Sequence, residues 1–302
     1  MTAPPGSREI RENASEVKFA VDREAASRIR TLARALLSPD PHASGPNADE
    51  YLTTTIYFDT ADFAVYHRRG SYRRAKYRIR RYGEGPVIFL ERKLRTSEMV
   101  SKRRTCVPIE DQPLLDATIP ELSWSGRWFH ARLLARKLSP VCQVGYVRTA
   151  RICMTDFGPA RLTVDEELNA VPVDGQRFEP MGGATPLSAA TIVEMKFRGP
   201  LPAAFKRIVE EFALASGRIS KYRLGIEGTR PNVVTRPEVA AALPMLNRLL
   251  DGQSAEVARE APPESLAWNT LQHWSGGPSD LPVPGPKTRR SIVLQRALGT
   301  EE

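Results

Sequence analysis

Cysteine and histidine are scarce in this 302-residue chain, and their scarcity removes whole classes of chemistry. The three cysteines, Cys106, Cys142 and Cys153, are odd in number and show no C-x-x-C spacing. Neither a disulfide framework nor a zinc site is expected from them. The four histidines (His42, His67, His130, His273) are scattered, so a metal would be held by oxygen ligands, which points to Mg²⁺ or Mn²⁺. No apolar run approaches the length of a membrane span, and the first residues lack the apolar core of a secretory signal. The expectation is a cytoplasmic protein with no transmembrane segment. No internal repeat of useful period appears either.

What the chain has is local positive charge. Arg68 to Arg104 holds fourteen Lys or Arg against three Glu, while the whole chain carries +9, so the remainder is slightly acidic. Within it, Lys76, Arg78 and Arg80 alternate with Ala75, Tyr77 and Ile79 in the period-2 manner of a strand, with cations on one face. A cationic face of this kind calls for an anionic partner such as nucleic acid, a nucleotide or polyphosphate.

The pattern recurs along the chain. Residues 1–14 are polar and are expected to be loose. Glu16 and Lys18 share a strand face, and Asp22 is the expected N-cap of a helix through Leu37. A strand at Thr53–Phe58 precedes the basic strand, and Gly83-Glu84-Gly85-Pro86 turns the chain into a return strand bearing Phe89, Glu91 and Lys93 on one face. Lys102 and Arg104 follow in phase, then a helix within Trp124–Leu138. Later strands put Tyr146 with Arg148, Arg161 with Thr163 and Asp165, and Glu194 with Lys196. A helix starting at Pro200–Pro202 leads to Ser220-Lys221-Tyr222. Beyond Pro231 a short helix at Ala240–Leu250 and a flexible tail are expected. The predicted domains are a flexible 1–14, a folded 15–230 and a C-terminal 231–302.

About eight strands, each ionic on one face and apolar on the other, suit a closed barrel with a polar lumen and helices outside. Lysines and arginines ringing such a lumen repel one another unless an anion fills it. A linear polyphosphate or a nucleoside triphosphate supplies charges in a row, and guanidinium forks match phosphate oxygens. Glu194 could hold a divalent ion bridging phosphates, or could simply pair with a neighbouring Arg. Glu91 reads as a partner for a nearby cation. Arg68, Arg69, Arg73, Arg81, Arg92 and Arg103 fall in loops or on the opposite phase and read as solvated.

Seven motifs now stand in order: Tyr57-Phe58-Asp59-Thr60, Arg78-x-Arg80, Glu91-x-Lys93, Lys102-x-Arg104, Tyr146-x-Arg148, Glu194-x-Lys196 and Ser220-Lys221-Tyr222. Together they resemble the VTC domain of the triphosphate tunnel superfamily, over roughly Ser15 to Gly228. The resemblance implies an α+β fold, an eight-stranded antiparallel triphosphate-tunnel β-barrel with helices packed outside. It implies an ATP-dependent polyphosphate polymerase that moves the γ-phosphoryl group of ATP onto a growing chain and releases ADP.

By that resemblance Arg78, Arg80, Lys93, Lys102, Arg148 and Lys196 would be catalytic. Lys18, Arg104, Tyr146, Arg161, Ser220 and Lys221 would grip phosphates, and Glu194 with Glu16 would hold Mn²⁺ or Mg²⁺. The partners would be ATP and inorganic polyphosphate, not nucleic acid. The lone Glu16-x-Lys18 departs from the longer acidic repeat of CYTH-type hydrolases, which favours transfer over hydrolysis. A triphosphatase on the same barrel and a non-catalytic polyphosphate binder are the alternatives.

Overall fold

The computed structural model of the chain describes residues 8–12, 14–41, 43, 47–95, 100–187 and 190–234. The expected helix at Ala240–Leu250 and the tail lie outside the described residues. Strands β1 (Arg8–Glu12) and β2 (Ser15–Val21) open the chain, and helix α1 (Arg23–Leu36) follows directly. Asp22 caps α1 by accepting the Ala25 N–H at 2.7 Å, as its sequence position predicts. The short β3 (Ser38–Pro39) precedes the long β4 (Glu50–Asp59), and β5 (Ala75–Tyr82), β6 (Val87–Arg95) and β7 (Val100–Pro108) form a meander. Helix α2 (Arg127–Ala135) separates these from β8 (Ser139–Thr155) and β9 (Gly158–Pro172). The described residues end with β10 (Thr185–Pro186), β11 (Thr191–Phe197), α3 (Ala203–Glu211) and α4 (Lys221–Thr229), followed by one further turn of helix.

All strands join one antiparallel sheet in the order β1-β7-β6-β5-β4-β8-β9-β11-β2, with β3 and β10 as side pieces on β8 and β9. The sheet is open. A closed eight-stranded barrel, the sequence expectation, is corrected: among the described residues no ladder joins β1 to β2, the two ends of the path. The residues expected as a loose terminus likewise include a strand, since Arg8–Glu12 pair with β7 from Arg104 to Val100. These two findings have one geometric cause. Glu12 ends β1 and Ser15 begins β2, yet the strands sit on opposite edges. Three residue steps span at most roughly 11 Å, so the sheet must curl until its edges nearly meet. The chain itself, and not a hydrogen-bonded pair, bridges the gap.

The curl divides side chains by strand phase. On the outside, α1 and α3 pack against β2, β9 and β11 through Ile29, Ala33, Phe205 and Ile208, which meet Phe19, Leu162, Val193 and Met195. Phe129 of α2 packs on Phe58 and Tyr77 in the other core. Helix α4 takes the inner face at one end. A Cβ on Gly225 would come within 2.8 Å of Val144 and 3.1 Å of Cys142, so glycine is what lets the helix touch β8. Tyr222, from the first turn of α4, stacks on Tyr57 at 5.3 Å.

Asp59 locks this corner. It is fully buried and accepts backbone N–H groups of Thr60 and Val65 at 2.7 Å and Tyr66 at 2.9 Å, together with the Tyr222 hydroxyl. Burial next to the Asp59 carboxylate raises the Tyr222 phenol far above its ordinary value, so it stays a donor. Replacing Asp59 by Ala strands these donors in the interior, and urea unfolding should show a loss of about 3 kcal/mol or more.

Candidate functional site

The inner wall is built in rows. Register sets Arg78 opposite Glu91 and Glu91 opposite Arg104, so one carboxylate lies between two guanidiniums on adjacent strands. Glu91 is 1% exposed and answers three cations: Arg78 Nε at 2.6 Å, Lys102 Nζ at 2.7 Å and Arg104 Nε at 3.1 Å. Burial alone would raise its pKa, but Arg78, Lys102, Arg80 and Arg104 outweigh this and hold it well below the usual carboxylate range. Lys102 is left in cationic company. Burial together with Arg78 and Arg104 outweighs its bond to Glu91 and pushes the ammonium down to about 8. Arg80 is buried and donates to the Thr55 hydroxyl at 3.1 Å.

The facing wall has the same construction. Arg148 grips Asp165 with both fork nitrogens, at 2.6 and 2.7 Å, and Lys221 reaches the same carboxylate at 2.5 Å. Asp165 is fully buried; burial opposes its ionisation, and Arg148 and Lys221 overcome it and depress its pKa strongly. The Tyr146 ring lies 5.3 Å from the Arg148 guanidinium and 4.8 Å from the Lys221 ammonium, and its buried hydroxyl has no hydrogen-bond partner among the described residues. At one mouth Arg161 pairs with Asp40 at 2.8 Å and donates to the Tyr51 hydroxyl. Tyr51, Tyr82 and Phe89 form an edge-to-face trio there.

Between the walls, Lys18 Nζ sits 3.0 Å from Glu16 and 3.1 Å from Glu194, and Lys93 reaches Glu16 at 2.8 Å across the curl. Lys196 shares the face of Glu194 and lies opposite Arg161 and Glu16. Burial raises Glu16 and Glu194, but Lys18 foremost pulls both below the ordinary carboxylate value. The two expected metal ligands therefore share a lysine ammonium, and among the described residues no group of three acidic, His or Cys side chains could hold an ion.

The candidate site residues fall on the inner phase of their strands or at the α4 end. Ser220 is the N-cap of α4, so it opens that helix. The outward set is outward where its contacts are resolved. Arg69 pairs with exposed Asp62, Arg81 bonds to turn carbonyls of Glu84 and Gly85, and Arg103 stacks on Trp128 at 4.2 Å.

Sequence reasoning left Asp165, Lys76, Tyr51, Tyr82 and Asp40 out of the site. Strand phase already marked Asp165 and Lys76, since each alternates with a motif residue. Nothing local marked Asp40, which comes from the loop after β3.

Residues 13–229 match the VTC domain family. The chain belongs to that family. The VTC domain thus covers the whole inner surface described above. No curated protein matches the chain. Among solved structures, a putative adenylate cyclase from Bacillus halodurans is similar at 15% identity and a TM-score of 0.43, covering 70% of this chain and 95% of that one. A putative adenylyl cyclase from Hippeastrum, described as having a dominant triphosphatase activity, is similar at 14% identity and a TM-score of 0.39, covering 73% and 97%. The PH1819 protein from Pyrococcus horikoshii gives 13%, 0.38, 71% and 98%. No helix among the described residues is long and apolar enough to cross a membrane.

Two outcomes follow from these electrostatics. Asp165→Asn leaves Arg148 and Lys221 buried and unanswered in the VTC domain, and should cost about 3–5 kcal/mol by denaturant unfolding. Burial and neighbouring cations lower Lys76 to about 7 and Lys102 to about 8, both below the ordinary lysine value. Above pH 7 the unfolded chain then binds more protons than the folded one, so ligand-free stability should rise between pH 7 and 8.5. A urea midpoint that falls across that interval would contradict the assignment.

Proposed function

We propose that this protein is an ATP-dependent inorganic polyphosphate polymerase. The reaction breaks the bond between the γ-phosphorus and the β–γ bridging oxygen. It forms a new bond from that phosphorus to a terminal oxygen of polyphosphate, and ADP leaves.

The observation that carries this reading is the convergence of cations from seven strands and α4 on one inner surface, where carboxylates are few and each is already engaged. Such a surface is incomplete without a polyanion. The orphaned Tyr146 hydroxyl, buried beside Arg148 and Lys221, supports the same reading, because a phosphate oxygen would satisfy it.

Transfer fits this inventory better than hydrolysis. An attacking phosphate oxygen is already ionised and needs no general base, whereas water does. The described carboxylates of the channel are poor bases: Glu91, Asp165, Glu16 and Glu194 are all shifted below their ordinary values by adjacent cations. In this mechanism Arg78, Arg80 and Arg148 hold phosphoryl oxygens through the guanidinium N–H groups not bonded to Glu91 or Asp165, while Lys93, Lys102 and Lys196 neutralise charge along the chain. Lys18, Arg104, Arg161 and Lys221 align the phosphates, and Tyr146 and Ser220 add hydrogen bonds. Catalysis then rests on alignment and charge neutralisation.

Glu16 and Glu194 supply the hard oxygen donors that Mg²⁺ or Mn²⁺ takes, and Lys18 between them marks a position that favours a cation. Two carboxylates leave an ion dependent on phosphate oxygens and water for its remaining ligands. Such an ion would neutralise charge on the transferring phosphoryl group, at the expense of the Lys18 contacts.

Incubation with ATP and Mn²⁺, resolved on a gel, tests the reading. Long chains with ADP support it, orthophosphate without chains indicates a triphosphatase, and unchanged ATP indicates a binder. Arg78→Ala should lower polymer formation by about 100-fold or more while the protein stays folded, since Glu91 keeps Lys102 and Arg104. Activity near wild type would remove Arg78 from the site.

A further inference from the structure

At the α4 end of the channel, one cation makes no direct ion pair among the described residues. Lys76, Lys93 and Lys102 lie side by side on β5, β6 and β7. Like charges directly across adjacent strands repel. Two of the three are answered, Lys93 by Glu16 at 2.8 Å and Lys102 by Glu91 at 2.7 Å. Lys76 meets no carboxylate among the described residues. Its ammonium donates to the Ser220 hydroxyl at 2.8 Å and lies 5.7 Å from the Tyr222 ring. The ionic groups facing it are Lys18 from β2, Lys93 from β6, Arg78 from its own strand and Arg68 from the segment before it.

A purely structural role does not account for this arrangement. The Ser220 oxygen already accepts the Arg223 N–H of α4, at a long 3.4 Å, and any small donor could fill its remaining acceptor site. A lysine there costs stability in the free protein, because burial and then its neighbours drive the ammonium down to about 7. The Ser220 O–H and the remaining ammonium protons of Lys76 are further donors that a phosphate oxygen could take.

The geometry points to Lys76, seated on Ser220, as a further phosphate-binding residue. Its ligand is a linear phosphoanhydride chain that extends past the Glu91 and Asp165 clusters to the α4 end. This rests on the phosphate-channel reading above and adds a position to it. A phosphate oxygen beside Lys76 supplies the absent negative charge, so the lysine takes up a proton as the chain binds.

Calorimetry on the full chain at pH 8 tests this, with inorganic tripolyphosphate and long-chain polyphosphate as probes. Two buffers of different ionisation enthalpy report proton uptake. Wild type should bind long-chain polyphosphate with net proton uptake. Lys76→Met should bind it on the order of tenfold more weakly, with that uptake diminished. Lys76→Arg should keep near-wild-type affinity yet show diminished uptake, because a guanidinium is charged before the ligand arrives. Wild-type affinity or undiminished uptake in Lys76→Met overturns the assignment, as does undiminished uptake in Lys76→Arg. If Lys76→Met fails to fold, the Lys76→Arg result decides alone. A wild-type protein that binds neither probe removes the phosphate channel itself, whereas binding unaffected at Lys76 removes only this inference.

Discussion

Mutual repulsion among lysines and arginines on a concave surface is the constraint on which the rest of this structure depends. Glu91 and Asp165 relieve it at two points, each buried and each bonded to more than one cation. Neither could be ionised at such depth without those partners, and the partners could not be so close without them. The remaining excess of positive charge stays unmet within the described residues. That residue of charge is what the proposed polyanion would answer.

The fold supplies the concavity. Because β1 and β2 are consecutive in the chain and sit on opposite edges of the sheet, the strands between them must bend around an axis. Helices α1, α2 and α3 cover the apolar outer phase, so the ionic phase has only the interior to occupy. Helix α4 then enters one end, where Gly225 permits contact with β8 and the Asp59–Tyr222 bond anchors its first turn. Lys221 and Ser220 reach the channel from this helix, so the site draws on an element that is not part of the sheet.

The scarcity of carboxylates has a chemical side as well. An acid or base at neutral pH needs a pKa moved toward 7, and here the carboxylates move away from it. The groups that approach neutrality are cationic or phenolic. Burial would raise Tyr82, but Arg80 and Arg104 bring it down to about 7, and Lys76 and Lys102 come down because burial and like charges oppose their protonation. On the proposed reading, an incoming anion would favour protonation of these groups.

Much of this was legible before any coordinates. The period-2 alternation in β5, β6, β7 and β11 assigned a face to each cation, since side chains on a strand can point only two ways. The same rule separated Arg78 and Arg80 from Arg81 and Arg103. Asp22 and its helix were equally local, because a cap is decided within four residues. Three things depended on contacts between residues far apart in the chain. The pairing of Asp165 with Arg148 and Lys221 joins β9, β8 and α4. The use of Glu16 and Glu194 to hold Lys18 joins β2 to β11. The opening between β1 and β2 depends on where the curl ends, which register and twist set together. Local sequence determined which side chains could face an anion; only the tertiary structure decided which of them were already neutralised by one another, because charge balance is a property of the assembled surface.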